Sequence, residues 1–263
     1  MRRRTVLATA ASLVAPAPAV LGQPRGVRAD QRLRCGAELA LMASGLARAL
    51  QAAFGRDTGI AVQLLAAPAT ALLSAVKEGE VDCALCNAPD EEVALEKQGL
   101  LHSRHRLATG AFLLVGPAGG PPLAARTVAA ALAEVAGGRA TAAAPFLTAG
   151  DGSGTHLAEL RLWRAAGIEP RPPWYRPGAT DRPLLAQLRS GDAWGLVERG
   201  AWLASAGGRA RVAALDDPAL DVPVHALRSF RSPHPAGRLW SSWVGGGRGR
   251  AVAGARPGYR RVA

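Results

Sequence analysis

Two rhythms alternate along the chain. Compact apolar runs at Gln31 to Cys35, Gly59 to Leu65, Val81 to Cys86 and Phe112 to Val115 read as buried strands. Between them, apolar residues recur every three to four positions, as in Leu46, Ala49, Leu50, Ala53 and Phe54, which predicts amphipathic helices. Gly55, Gly79 and Gly99 supply the stops for helices from Ser44-Gly45, from Ala69 and from the Asn87 to Asp90 turn. A helix over Arg126 to Ala136, a run ending in Pro145 to Thr148, and a helix from Thr155 to Gly167 continue the series. Trp174-Tyr175, the helix Arg182 to Arg189, and the strands Trp194 to Val197 and Asp221 to Phe230 complete it. Strands alternating with helices predict parallel pairing and an α/β class.

The densest chemistry lies at Ala149-Gly150-Asp151-Gly152-Ser153-Gly154-Thr155-His156, between a strand and a helix. Its glycines permit left-handed turns and close approach to a ligand. Ser153 and Thr155 are helix-start residues that also carry hydroxyls. A glycine-rich turn feeding a helix start presents free N–H groups and a partial positive charge, which suits a small anion. Asp151 is expected to hold the loop by accepting backbone N–H groups. His156 is open to two roles, donating to a ligand or capping the loop.

The first residues read as an address: Arg2-Arg3-Arg4 precede an apolar run from Val6 to Leu21 that Pro16 and Pro18 interrupt. An export signal over 1–23 follows, by the Sec or twin-arginine route, and a periplasmic location with it. Roughly 240 residues then remain, enough for one large domain or two lobes. Ala118-Gly119-Gly120-Pro121-Pro122 is the strongest internal punctuation, so we expect lobe 1 over 24–117 plus 210–263 and lobe 2 over 118–209.

The formal net charge of +12 raises a nucleic-acid partner. The arginines are scattered and Lys77 and Lys97 are the only lysines, so no basic motif forms and no nucleic-acid partner is expected. Cys83 and Cys86 have redox-pair spacing, but three positions apart on a strand they face opposite ways, which makes them poor disulfide partners. With no second pair or histidine cluster, no metal or cofactor is expected, and the cysteines read as buried filler.

Taken in order, these pieces resemble the tungstate-binding periplasmic proteins of ABC transporters, within the type II periplasmic binding-protein fold. The match centres on Gly150 to Trp163 and Ala166-Gly167-Ile168. Val81-Asp82 through Ala88-Pro89, Val115-Gly116-Pro117 and Trp194 to Gly200 support it. The resemblance implies two lobes, each a mostly parallel sheet flanked by helices, and a last helix over Trp240 to Gly254. It also implies a monomer that binds a small oxyanion, tungstate first, between the lobes and serves an inner-membrane ABC permease. Gly152, Ser153, Gly154, Thr155 and His156 would form one wall, Gly36, Ala37 and Ser44 the other, with Thr180 beside them.

Two departures stand out. The family's Thr/Ser-rich turn is replaced by Cys35-Gly36-Ala37-Glu38-Leu39-Ala40-Leu41, and Ala149 stands where an arginine is usual. Charge-assisted hydrogen bonds of that kind are worth about 1.5–3 kcal/mol each. Arg106 or Arg176 is the candidate replacement. Glu38, unfavourable beside an anion, is expected to point outward or pair with an arginine; the alternative is that it changes the ligand to one with a cationic or hydroxyl group. Two other functions remain in play: a sensor or orphan binding protein, and a hydrolase with Ser153 as nucleophile and His156 or His102 as base. Asp151 two residues before Ser153 breaks the Gly-x-Ser-x-Gly elbow, which weighs against the second, so no enzymatic activity is expected.

Overall fold

A computed structural model describes residues 32–232 and 234–262, so the expected export signal lies outside the described residues. The order begins with strand β1 (Leu33–Glu38) and helices α1 (Leu39–Ala43) and α2 (Leu46–Thr58). Then come β2 (Val62–Ala67), α3 (Ala69–Glu78), β3 (Cys83–Cys86), α4 (Pro89–Lys97) and the long strand β4 (Leu101–Gly116). The middle of the chain holds α5 (Val128–Glu134), β5 (Phe146–Thr148), α6 (Gly154–Ala165), β6 (Tyr175–Pro177), α7 (Leu184–Arg189), β7 (Gly195–Glu198), α8 (Arg199–Ala204) and β8 (Arg211–Val212). The chain returns through β9 (Asp221–Ser229), α9 (Ala236–Gly245), α10 (Gly247–Gly254) and β10 (Arg260–Arg261).

The architecture is the expected two-lobed α/β fold, with a mixed sheet. In the first lobe the strand order is β2-β1-β3-β9-β4-β10, parallel across β2, β1 and β3 and antiparallel beyond. In the second, β6 and β5 run parallel, Phe146 bridges Trp194, and β7 and β8 pair antiparallel with the far end of β4. The antiparallel pairings come from β4 and β9, which carry the chain between lobes in opposite senses. β4 is far longer than its apolar run at Phe112 predicts: its first half, with His102, Arg104, His105 and Arg106, is held by pairing to β9.

Strand alternation sorts the core. Cys83 and Leu85 of β3 join a cluster with Leu33, Cys35, Leu50, Phe54 and Trp240, under α2, α9 and α10. Ala84 and Cys86 face the other way, into a cluster with Leu72, Val76 and Leu101 under α3. The cysteines are free and buried, on opposite faces as expected. A separate cluster builds the second lobe around Phe112, Phe146, Trp163 and Trp194. Membership changes along β4 between Ala108 and Phe112, and again along β9 between Val222 and Val224.

Candidate functional site

A crevice of about 280 Å³ lies between the lobes, walled by Glu38, Leu39, Ala40 and Ala43 on one side and by Ala149, Asp151, Ser153, Thr155, Leu184, Leu196, Val197 and Glu198 on the other. The second wall is the glycine-rich turn. Gly152 takes φ 72, and a Cβ there would lie 2.4 Å from the Thr70 hydroxyl oxygen. Ser153 is the N-cap of α6: its Oγ accepts from the His156 N–H at 3.2 Å, leaving its own proton free to donate. Asp151 Oδ1 accepts from the Ser153 N–H at 2.9 Å, as expected. His156 takes the second of its two roles, with Nδ1 accepting from the Gly152 N–H at 3.0 Å. It braces the loop.

The first wall departs from expectation. Glu38 neither points outward nor pairs with an arginine; it is fully buried between the lobes. Its Oε2 accepts from the Ala40 N–H at 2.7 Å, capping α1, and its Oε1 accepts from the Gly154 N–H at 3.0 Å, on the first residue of α6. A carboxylate with helix starts on both oxygens sits where charge and unpaired donors favour an anion. Burial lifts its carboxyl to about 7 against the pull of the N–H bonds from Ala40, Gly154 and Leu41, and the Asp151 charge adds a smaller push in the same direction. Glu198 repeats the motif: Oε2 caps α8 at the Ala201 N–H, 2.7 Å away, while the buried Oε1 has no hydrogen-bond partner among the described residues. Burial raises it to about 7 as well, with a contribution from Glu38.

The remaining expected contacts fall elsewhere. Gly36 turns toward α3, where a Cβ would lie 2.1 Å from Leu72, and Ala37 is in the core. Ser44 closes α1 rather than opening onto the crevice; its hydroxyl donates to the Leu41 carbonyl at 3.1 Å and receives the Tyr259 hydroxyl at 2.7 Å. The reason is local: Leu39 to Ala43 coil into a helix of their own, so the helix start facing the crevice is that of α1, not α2. Thr180 is exposed on the loop after β6 and lies outside the crevice lining. Arg106 donates to Thr109 on an exposed strand face, and Arg176 lines a separate groove. Neither lines the crevice, and among the described residues no lysine or arginine does.

The other face of the turn meets lobe 1 directly. The Thr70 N–H donates to the Gly152 carbonyl at 3.1 Å, and a Cβ on Gly154 would lie 2.0 Å from Asn87 Oδ1. Asn87, 1% exposed, leaves both amide atoms without a hydrogen-bond partner among the described residues. Glu198 and Asn87 lie in stretches that supported the resemblance but had no site role in the sequence reading, and Thr70 had none either; the three come from other elements. Among the described residues no group of three or more His, Cys, Asp or Glu is arranged to hold a metal, and no helix is long and apolar enough to cross a membrane.

Comparisons with known proteins agree with this architecture. Residues 40–222 match the PBP superfamily domain. A provisionally named ABC transporter anion-binding protein of Haloferax volcanii is 30% identical over 187 residues, covering 70% of this chain and 54% of the relative. The tungstate-binding protein TupA of Peptoclostridium acidaminophilum is 31% identical over 167 residues, covering 61% and 56%. The chain thus spans about half the length of the curated relatives it matches. Among solved structures, the tungstate ABC transporter structure from Geobacter sulfurreducens aligns with TM-score 0.72 at 24% identity over 86% of this chain and 99% of that one. TupA from Desulfovibrio alaskensis aligns with TM-score 0.67 at 22% identity, covering 88% and 98%. The curated relatives are named as anion-binding and tungstate-binding proteins, not as enzymes; the His156 Nδ1 is taken up by the Gly152 N–H, and the His102 ring packs on Phe230. With most of its described length matched and its two lobes closing on a shared crevice, the chain belongs to the PBP superfamily.

Proposed function

We propose that the chain is an exported, periplasmic solute-binding subunit of an ABC transporter, taking a small oxyanion in the crevice between its lobes and presenting it to an inner-membrane permease. One observation carries the ligand class: Ser153 and Thr155 at the start of α6 line the crevice, and the N–H between them already holds an acidic group, the Glu38 carboxyl. Tungstate is the first candidate, from the curated relative of that name. The donors available are the Ser153 and Thr155 hydroxyls and main-chain N–H groups, with no cationic side chain in the lining among the described residues. Affinity for a dianion is therefore expected to fall below that of a site built around an arginine, by about tenfold for each 1.4 kcal/mol lost.

A second reading rests on the rest of the lining. Glu38, Asp151 and Glu198 surround an otherwise largely apolar space with Leu184, Leu196 and Val197, which suits a solute carrying an amino or hydroxyl group on an apolar body. A sensor or orphan binding protein of changed specificity would fit it. One thermal-shift screen separates the two, using tungstate, molybdate, sulfate, phosphate, small organic anions and small organic amines. A rise in melting temperature with tungstate or another oxyanion supports the first reading. A rise with amines alone selects the second, and no response to any oxyanion at millimolar concentration ends the first.

A further inference from the structure

Resting on the oxyanion reading, we propose that Glu38 is a built-in competitor for the solute: its carboxylate and the bound anion exclude one another from the start of α6, so each anion bound brings one proton onto Glu38. The geometry leaves little room for both. The Glu38 Oε1 accepts the Gly154 N–H at the start of α6, between Ser153 and Thr155, which line the crevice, and its side chain is fully buried between the lobes. A second negative charge there meets Glu38 itself from the end of β1, Asp151 from the turn and Glu198 from the start of α8. Tyr259 and Cys86 are the other titratable groups that feel the Glu38 charge. Among the described residues no lysine or arginine in the lining offsets these acids. Protonating Glu38 removes the nearest repulsion and frees the N–H. Its carboxyl, lifted by burial to about 7, can take that proton near neutrality.

Linkage then fixes the direction. A site that binds anion only with Glu38 protonated binds tightest below pH 7 and loses about tenfold in affinity per pH unit above it. The test is isothermal calorimetry on the purified chain with sodium tungstate and with sodium sulfate, at pH 6.5 and 8.5. Two buffers of different ionisation heat count the protons. Wild type is expected to bind at least tenfold more tightly at pH 6.5 and to take up close to one proton per anion at pH 8.5. Glu38→Gln is expected to bind at pH 8.5 as wild type does at pH 6.5, with the pH dependence and proton uptake gone.

A pH dependence and proton count that persist unchanged in Glu38→Gln overturn the competitor and leave the oxyanion reading standing. If Glu38→Gln does not fold, wild type alone decides, because uptake of no proton overturns the proposal. Glu38→Asp, which keeps the charge on a shorter arm, must in that case retain the wild-type pH slope. No binding of either anion by wild type, Glu38→Gln or Glu38→Ala at either pH, each showing a cooperative melt, overturns both this proposal and the reading beneath it.

Discussion

Single residues of the glycine-rich turn have separable roles. Ser153 caps α6 and retains a hydroxyl proton for a ligand. Ser153→Ala is expected to cost about 1 kcal/mol in urea unfolding and also to weaken oxyanion binding; unchanged affinity would remove the hydroxyl from the site. Glu159, buried on α6, accepts from the Tyr175 hydroxyl at 2.7 Å, and burial lifts it to about 7. Tyr175→Phe removes that donor. We expect roughly 1–3 kcal/mol of destabilisation, larger at pH 8, where Glu159 is ionised, than at pH 5.5. At this scale the roles of Asp151 and the capping of α6 were legible, because they depend on neighbours within the same turn. The place of Glu38 was not, because its partner Gly154 lies 116 positions away.

Helix α6 shows how an element is fixed by more than its own pattern. The spacing of Leu157, Leu160, Trp163 and Ala166 predicts one apolar face, but Leu160 is 37% exposed, and Ala158, Glu159, Leu162 and Trp163 are buried. The rotation follows from an aromatic cluster: Trp163 packs edge-on to Phe146 at 5.1 Å, with Trp174 and Tyr175 beside it. That packing turns the helix start onto the crevice and presses Gly154 against Asn87. Gly154→Ala places a methyl group where 2.0 Å separates it from Asn87 Oδ1. A loss of roughly 1–3 kcal/mol follows from such overpacking, along with weaker binding, as the turn is pushed off lobe 1. Thermal melts and calorimetry on the variant check both; a wild-type melting temperature would mean that the lobes part at no cost.

Across the whole molecule, a strongly basic chain encloses an acidic crevice. The +12 net charge gives a long-range field that draws anions, while Glu38, Asp151 and Glu198 decide what can stay. Glu38, Glu159 and Glu198 have carboxyls held near 7 by burial, above the ordinary 4.5. For acids raised in the folded state, the fold holds more protons than the unfolded chain between those values, so stability falls as pH rises through that window. The melting temperature of the ligand-free protein is expected to rise by at least about 5 °C from pH 8 to pH 5.5. Further acidification reverses the trend. Asp82 and Glu92 are buried, yet hydrogen bonds from Arg34 and Ser232 to the first, and from His225 and Arg104 to the second, hold them below their ordinary range. Their stabilisation is lost as they protonate. A melting temperature flat between pH 5.5 and 8 would refute the assignment of three buried acids.

The linear order of residues by itself determined the α/β alternation, the start of α6, the bracing of its turn and the burial of the cysteines. Each depends on periodicity or on partners a few positions apart, which short-range sterics and hydrogen bonding enforce. Tertiary structure alone decided that α1 exists as a separate helix facing the crevice, that β4 extends through a polar stretch, and that Glu38 meets Gly154. Those outcomes arise where two lobes close on each other, and the energy of a contact across that gap belongs to neither segment alone.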